Sequence, residues 1–288
     1  MPDDDHALAR ELAEEAGWRL LELRAGGGFG DESDLLRKAG DRSSHEFCVA
    51  ELTRRRPGDV VLSEEGADDP ARLAAERVWI VDPLDGTREF GEPGRTDWAV
   101  HVALWERSAA GEGGDLTAGA VALPAQGHVL STASPAEPRQ CSIDVAATTS
   151  MFHRGGDGGQ GQPGNSHAGG AEDPRIRVVV SRTRAPRLVR DISDLIEMEI
   201  LALGSAGAKV AAVVRGEADA YIHAGGFYEW DTAAPVAVAR AAGLHASRID
   251  GSALAYNQVN LLMPDILVCR PALAGSLLQA IREVTNAS

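Results

Sequence analysis

The apolar, β-branched run Val78-Trp79-Ile80-Val81 leads directly into Asp82-Pro83-Leu84-Asp85-Gly86-Thr87. A run of that content reads as a buried strand, and the Pro and Gly that follow close it with a tight turn, because Pro fixes φ and Gly accepts positive φ. Two carboxylates three residues apart on that turn make hard oxygen donors converge at the end of the strand. Magnesium prefers such donors, and two ions about 3.5 to 4 Å apart can clamp the attacking and leaving oxygens of a phosphate. Asp82 and Asp85 are therefore candidate metal ligands, with the Leu84 carbonyl as a third donor. Gly86 and Thr87 offer backbone N–H groups to a phosphate at the start of a short helix. In isolation the same residues also make an ordinary turn.

Around this strand, Leu8, Leu12, Ala16, Leu20 and Leu23 recur at helical spacing between His6 and Arg24, and Gly26 to Gly28 end the run. A second helix is expected from Ser43 to Arg56, stopped by Pro57-Gly58. Val60 to Leu62, Trp98 to Trp105, Gly119 to Leu123 and Val129 to Thr132 read as further strands. Residues 1–133 are expected to form an α+β domain, a helix pair against a mostly antiparallel sheet, carrying most of the candidate ligands. Residues 134–174 differ in kind, since eight of the sixteen positions from Gly155 to Gly170 are Gly. Such a stretch buries too little to offset the entropy of ordering, so a mobile insertion and domain seam are expected. In residues 175–288, strands Ile176 to Ser181, Ala218 to His223 and Ile266 to Cys269 alternate with helices Arg187 to Met198, Ser205 to Arg215, Thr232 to Ala242 and Ala272 to Val284. That alternation implies an α/β domain.

The chain has 288 residues, 44% hydrophobic and 25% charged, as in ordinary globular proteins. It has no apolar run long enough to span a membrane and opens on Pro2, Asp3, Asp4, Asp5 and His6 instead of a basic-then-apolar leader, so a cytoplasmic protein without a membrane partner is expected. Cys48, Cys141 and Cys269 are too scattered for a disulfide framework or zinc site and read as buried or incidental thiols. A formal net charge of -15 disfavours a nucleic-acid partner. A phosphorylated small molecule is not excluded, because bound divalent cations invert the local sign.

Glu64 and Glu65 alone would be a solvated loop, Asp231 a helix N-cap, and Asp41 an N-cap or turn residue before Ser43. Their combination is more specific. Ser63-Glu64-Glu65, the segment Trp79 to Thr87 and Trp230-Asp231-Thr232-Ala233-Ala234 together resemble the inositol monophosphatase superfamily, over the whole chain apart from the Gly-rich insertion. Asp41 fits that superfamily's upstream acidic position. The resemblance implies a layered α-β-α-β-α sugar-phosphatase-like architecture. It implies two or three Mg2+ ions held by Glu64, Asp82, Asp85, Asp231 and the Leu84 carbonyl, and inhibition by lithium. It further implies in-line attack by a metal-activated water without a phosphoenzyme, with Asp41, Glu64 and Thr87 as the catalytic residues. A homodimer is compatible with it.

Within the superfamily the chain looks most like the CysQ-type 3'(2'),5'-bisphosphate nucleotidases, which implies hydrolysis of 3'-phosphoadenosine 5'-phosphate to AMP and phosphate in sulfate assimilation. Gly204-Ser205-Ala206-Gly207-Ala208-Lys209 resembles that group's Gly-Ser-x-x-x-Lys, where a helix start and a lysine can meet a phosphate; a capped surface helix with a solvated lysine is the alternative. Independently of any family, Arg175, Arg177, Arg182, Arg184, Arg187 and Arg190 form a stretch free of acidic residues, a candidate for the phosphate that is not cleaved or else a solvated basic helix start. Ser181-Arg182-Thr183-Arg184 resembles the group's Ser-Arg-Ser-His, with Arg184 in place of His. The expected substrate-binding set is thus Asp85, Gly86, Thr87, Ser181, Arg182, Arg184, Ser205, Lys209 and Asp231. His223 stands where inositol phosphatases usually have a Glu, which disfavours inositol monophosphate; His101 and His245 read as structural. Inositol monophosphatase or fructose-1,6-bisphosphatase activity is the alternative, and a non-catalytic nucleotide or metal sensor is the alternative of another class.

Overall fold

The computed structural model describes residues 4–27, 32–111, 113–135, 175–183 and 185–286. Helices α1 (Asp5–Ala25) and α2 (Ser33–Arg55) precede a five-stranded sheet made of β1 (Val60–Ser63), β2 (Arg77–Asp85), β3 (Ala99–Arg107), β4 (Gly114–Leu123) and β5 (His128–Ser131), in that spatial order. Only β1 and β2 pair in parallel; the other neighbours in this sheet are antiparallel. The short helix α3 (Thr87–Gly91) follows β2. The second sheet comprises β6 (Ile176–Ser181), β7 (Met198–Leu203), β8 (Ala220–Tyr228), β9 (His245–Ser247) and β10 (Leu262–Cys269), in the order β7-β6-β8-β10-β9. Its helices are α4 (Arg187–Ser193), α5 (Ala206–Val214), α6 (Glu229–Ala241) and α7 (Pro271–Asn286).

Three apolar layers hold the stack together. Leu8, Leu12 and Leu20 of α1 and Leu52 of α2 pack on Trp79, Val81, Val100 and Val102. The opposite face of that sheet, with Ile80, Ala103 and Val121, meets Val210 and Val213 of α5 and Val236 of α6, which in turn cover Tyr221, Ile266 and Val268 of the second sheet. Its far face, with Val178, Ile222 and Leu267, is closed by Val189 and Ile192 of α4 and Leu277 and Ile281 of α7. The expected α-β-α-β-α layering results: the central strands β2, β3, β6, β8 and β10 alternate their apolar side chains between two covered faces.

Several boundaries differ from the sequence expectations. Helix α2 begins at Ser33, ten residues before the expected Ser43, so Asp41 lies inside the helix and not ahead of it. Its first turns carry Leu35, Leu36 and Ala39 among charged residues, with Leu36 packed on the core, but the fully buried positions start only at Gly40, which leaves a weak apolar stripe there. The helix expected over Arg187 to Met198 ends at Ser193, and Met198–Leu203 is an edge strand parallel to β6. Its residues are half-buried or exposed, with a Glu and an Ala among them, a composition that does not favour strands. Cys48 and Cys269 are buried free thiols, pushed up to about 12 by burial. Cys141, Arg184 and all but the edge of the expected Gly-rich insertion lie outside the described residues. Among the described residues no helix is long and apolar enough to cross a membrane.

Candidate metal centre

Pairing of β2 with β3 slips between Asp82 and Asp85, so that Asp82 faces His101 and Asp85 faces Ala99 across the sheet. This irregularity ends the strand in the turn that the Pro and Gly require. Asp82 Oδ1 accepts from the Leu84 N–H at 3.0 Å, and the Ser44 hydroxyl of α2 donates to the Pro83 carbonyl at 2.7 Å. Gly86 sits at φ 84°, and a Cβ there would lie 3.2 Å from the Asp97 carbonyl and from Ser205 Cβ. Glycine adopts this conformation without strain, and any side chain would have to displace these neighbours slightly.

The carboxylates expected from separate segments come together. Asp82 is buried, and burial followed by the charges of Glu64, Asp85 and Asp231 raises it well above the usual carboxylate range. Glu64, at the end of β1, faces solvent as a residue, yet its carboxyl meets that of Asp82; burial and the Asp231 charge raise it to about 7. Asp231 is raised to about 6 by burial and the Asp85 charge. It sits in the first turn of α6, where Oδ2 accepts from the Tyr228 N–H at 2.6 Å, so the capping role and membership of the cluster coexist. Asp41 is half-buried; burial and the Glu65 charge lift it to about 6, against a hydrogen bond from the Thr87 hydroxyl. Thr87 Oγ1 lies 3.3 Å from Asp41 Oδ1 and 3.0 Å from the Leu84 carbonyl.

Asp85 is the exception. Burial pushes it upward too, but the neighbouring His101 and Lys209 and the Ser205 hydroxyl outweigh that and hold it at about 2. Its Oδ2 accepts from Ser205 Oγ at 2.5 Å and from the Gly207 N–H at 2.9 Å. Asp82, Asp85 and His101 present donor atoms within 4.8 Å of one another. Carboxylates that raise one another's proton affinity, with hard oxygens aimed at one point, fit a divalent cation: it would remove the repulsion that now favours protons.

His101 is the residue that sequence reasoning set aside. It is fully buried, with Nε2 3.2 Å from Asp85 Oδ2 and Nδ1 3.3 Å from the Trp230 carbonyl and 3.9 Å from Asp82 Oδ2. The available signal was a single polar residue inside the otherwise apolar strand Ala99 to Trp105. A Cβ at Gly207 would collide with His101 Nε2, which accounts for glycine there.

The expected substrate residues have other partners within the protein. Ser205 caps α5 through the Ala208 N–H at 3.0 Å while bonding Asp85. Lys209 is buried, not solvated on a surface helix: Nζ donates to the Gly204 carbonyl and, at 2.9 Å, to the Ser205 carbonyl. Burial lowers it to about 8. Arg182 donates to Glu89 at 2.7 Å and to Glu92 at 2.9 Å, and Arg177 pairs with the buried Asp219 at 3.0 Å. These pairs divide the arginine stretch among separate carboxylates. His223 packs with Phe227, ring centroids 4.7 Å apart, and His245 lies 2.8 Å from the Ser247 hydroxyl. Beside Asp231, the half-exposed Tyr228 ring stacks on Trp230 at 4.7 Å.

Comparison with known proteins places this geometry. The inositol monophosphatase family profile matches residues 4–286. A 3'-phosphoadenosine 5'-phosphate phosphatase of Mycobacterium leprae (strain TN) is 46% identical over 283 residues, 97% of this chain and 94% of that protein. A protein of the same name from Mycobacterium tuberculosis (strain CDC 1551 / Oshkosh) is 47% identical over 269 residues, 93% of this chain and 90% of that protein. Among solved structures, inositol monophosphatase-II from Staphylococcus aureus MSSA476 superposes with a TM-score of 0.71 at 18% identity, covering 94% of this chain and 93% of that one. This last likeness concerns the fold alone.

Proposed function

The chain belongs to the inositol monophosphatase family, a family of metal-dependent phosphatases, and from that premise we propose that it hydrolyses 3'-phosphoadenosine 5'-phosphate to AMP and phosphate with Mg2+, in sulfate assimilation. The observation that carries the reading is the convergence of Glu64, Asp82, Asp85 and Asp231 in a chain 46% identical to a phosphatase so named. These four carboxylates and the Leu84 carbonyl would hold two or three Mg2+ ions. When bound, the ions neutralise phosphate charge and acidify the attacking water. Asp41 accepts the water's proton at a carboxylate oxygen that Thr87 Oγ1 orients, 3.3 Å away. Ser205 and the Gly207 N–H fix Asp85 Oδ2, so in this reading Ser205 and Lys209 act by shaping the turn behind the carboxylate. In this reading Gly86 and Thr87 meet the phosphate that is cleaved and Ser181, Arg182 and Arg184 the one that is retained, Arg182 doing so in exchange for its pairs with Glu89 and Glu92.

The test is phosphate release with Mg2+ from 3'-phosphoadenosine 5'-phosphate, inositol 1-phosphate and fructose 1,6-bisphosphate. The expected result is a kcat/KM for the first at least about tenfold above the others, a difference of about 1.4 kcal/mol in transition-state binding. A preference for either of the other two overturns the substrate assignment.

A further inference from the structure

Glu64 and Asp231 lie on segments far apart in sequence, one after β1 and one at the start of α6, and a single buried network ties those segments together. Arg72, in the short 3-10 helix Pro70–Ala74 that follows the Glu64 loop, is 1% exposed. Its Nη1 donates to Asn257 Oδ1 and its Nη2 to the Gln258 carbonyl, both at 2.9 Å, while Asn257 Nδ2 returns a bond to the Arg72 carbonyl at 2.9 Å. On the other side, Glu229 is also 1% exposed; its two oxygens accept from the Asn257 N–H at 2.6 Å and the Gln258 N–H at 2.8 Å. Glu229 is two residues ahead of Asp231 and opens α6. Asn257 holds φ 58°, the one non-glycine residue described in that region of backbone space, which turns its side chain and its own N–H to opposite partners. Arg107 secures the same strap by donating to the Leu73 and Ala75 carbonyls, each at 2.9 Å.

The Arg72 guanidinium pairs with Asp68, Nε to Oδ1 at 2.6 Å, and also donates to the turn, while the buried Glu229 carboxylate accepts from both N–H groups of that turn. Buried charges cost desolvation energy unless every bond is made, so the turn cannot shift without breaking several at once. We infer that Arg72, Asn257 and Glu229 are positioning residues that set the separation of Glu64 from Asp231, and thereby the affinity of the centre for divalent cations. The inference rests on the proposed reading of those carboxylates as metal ligands. None of the three is among the residues assigned to the metal ions or the substrate, so in this inference the network acts on metal binding and not on the chemical step.

The test is calorimetric titration of Mg2+ into the metal-free protein without substrate, for wild type, Arg72→Lys and Asn257→Gly, accompanied by thermal melts. Lysine keeps the charge but not the fork, and glycine keeps the backbone conformation while deleting only the side-chain link. Both variants are expected to bind Mg2+ about tenfold more weakly, the scale of lost outer-shell support, with kcat at saturating Mg2+ within about twofold of wild type. Wild-type binding with unchanged affinity in both variants overturns the inference alone, whatever happens to the melting temperature. A wild type that binds no Mg2+ overturns the metal reading and the inference with it. Should Arg72→Lys fail to fold, Asn257→Gly decides.

Discussion

Ser205 Oγ donates to Asp85 Oδ2 across 2.5 Å, joining the start of α5 to the end of β2 in the other sheet's territory. The same hydroxyl accepts from the Ala208 N–H, so one atom caps a helix and orients a candidate ligand. Ser205→Ala is expected to lose about 1 kcal/mol of stability through the cap and to raise the Mg2+ needed for half-maximal activity about tenfold. Denaturant melts and a Mg2+ titration of phosphatase activity check the two effects separately.

Asp82→Asn should abolish phosphate release, with a loss of at least about a thousandfold, because the charge of a proposed metal ligand is removed. The metal-free variant should nevertheless melt higher than wild type, since Asp82 is buried among Glu64, Asp85 and Asp231 and their repulsion disappears. A folded variant with full turnover would remove the carboxylate cluster from the mechanism. A protein without magnesium-dependent turnover before mutation would favour the sensor alternative.

The same repulsion has a pH signature. Glu64 at about 7 and Asp231 and Asp41 at about 6 all lie above the values that the unfolded chain would have, 4.5 and 3.8. Between those limits the folded state binds more protons than the unfolded one, so stability of the metal-free protein falls as pH rises through about 4 to 7. Asp85 shifts the opposite way, but its contribution is complete above pH 3.8 and adds no slope in that window. Mg2+ competes with those protons, so its stabilisation should grow with pH and flatten the decline. Urea midpoints in EDTA and in excess Mg2+ across that range measure both slopes.

Lys209→Met separates two roles for the lysine. As a buried cation bonded to two carbonyls beside Asp85, its removal should destabilise the protein by about 3 kcal/mol or more and weaken Mg2+ binding. A direct phosphate contact would instead raise KM with stability intact, which melts and steady-state kinetics distinguish.

Much of the centre could be read from local pattern: the strand with its Asp-Pro-Leu-Asp-Gly turn, Glu64 and Asp231 each sit where a short motif puts them. What escaped depends on long-range register and layering. His101 belongs to the cluster because β3 pairs with β2 in a register that sets it opposite Asp82, a fact that no stretch of β3 contains. Lys209 reads as a phosphate contact or else a solvated charge, because an alanine-rich helix does not reveal which of its faces are covered, whereas α5 lies between two sheets with all nine residues buried. Arg72 and Glu229 are ordinary charges until the Tyr256 to Gln258 turn brings them together.

Tyr228 bears on the choice between nucleotide and sugar substrates. The residue is 44% exposed, its ring lies parallel within 11° to Trp230, and its N–H binds Asp231. A flat, pre-stacked aromatic face next to the carboxylates suits an adenine base, and stacking of that kind is worth about 1 to 3 kcal/mol. Tyr228→Ala should therefore raise KM for 3'-phosphoadenosine 5'-phosphate by about fivefold or more with kcat little changed, because a contact present in both ground and transition states is lost. Tyr228→Phe should keep the wild-type KM, since the ring and not the hydroxyl does the stacking. Hydrolysis of inositol 1-phosphate, which has no base, should be indifferent to both substitutions; an equal loss on both substrates would mean that the ring merely supports the start of α6.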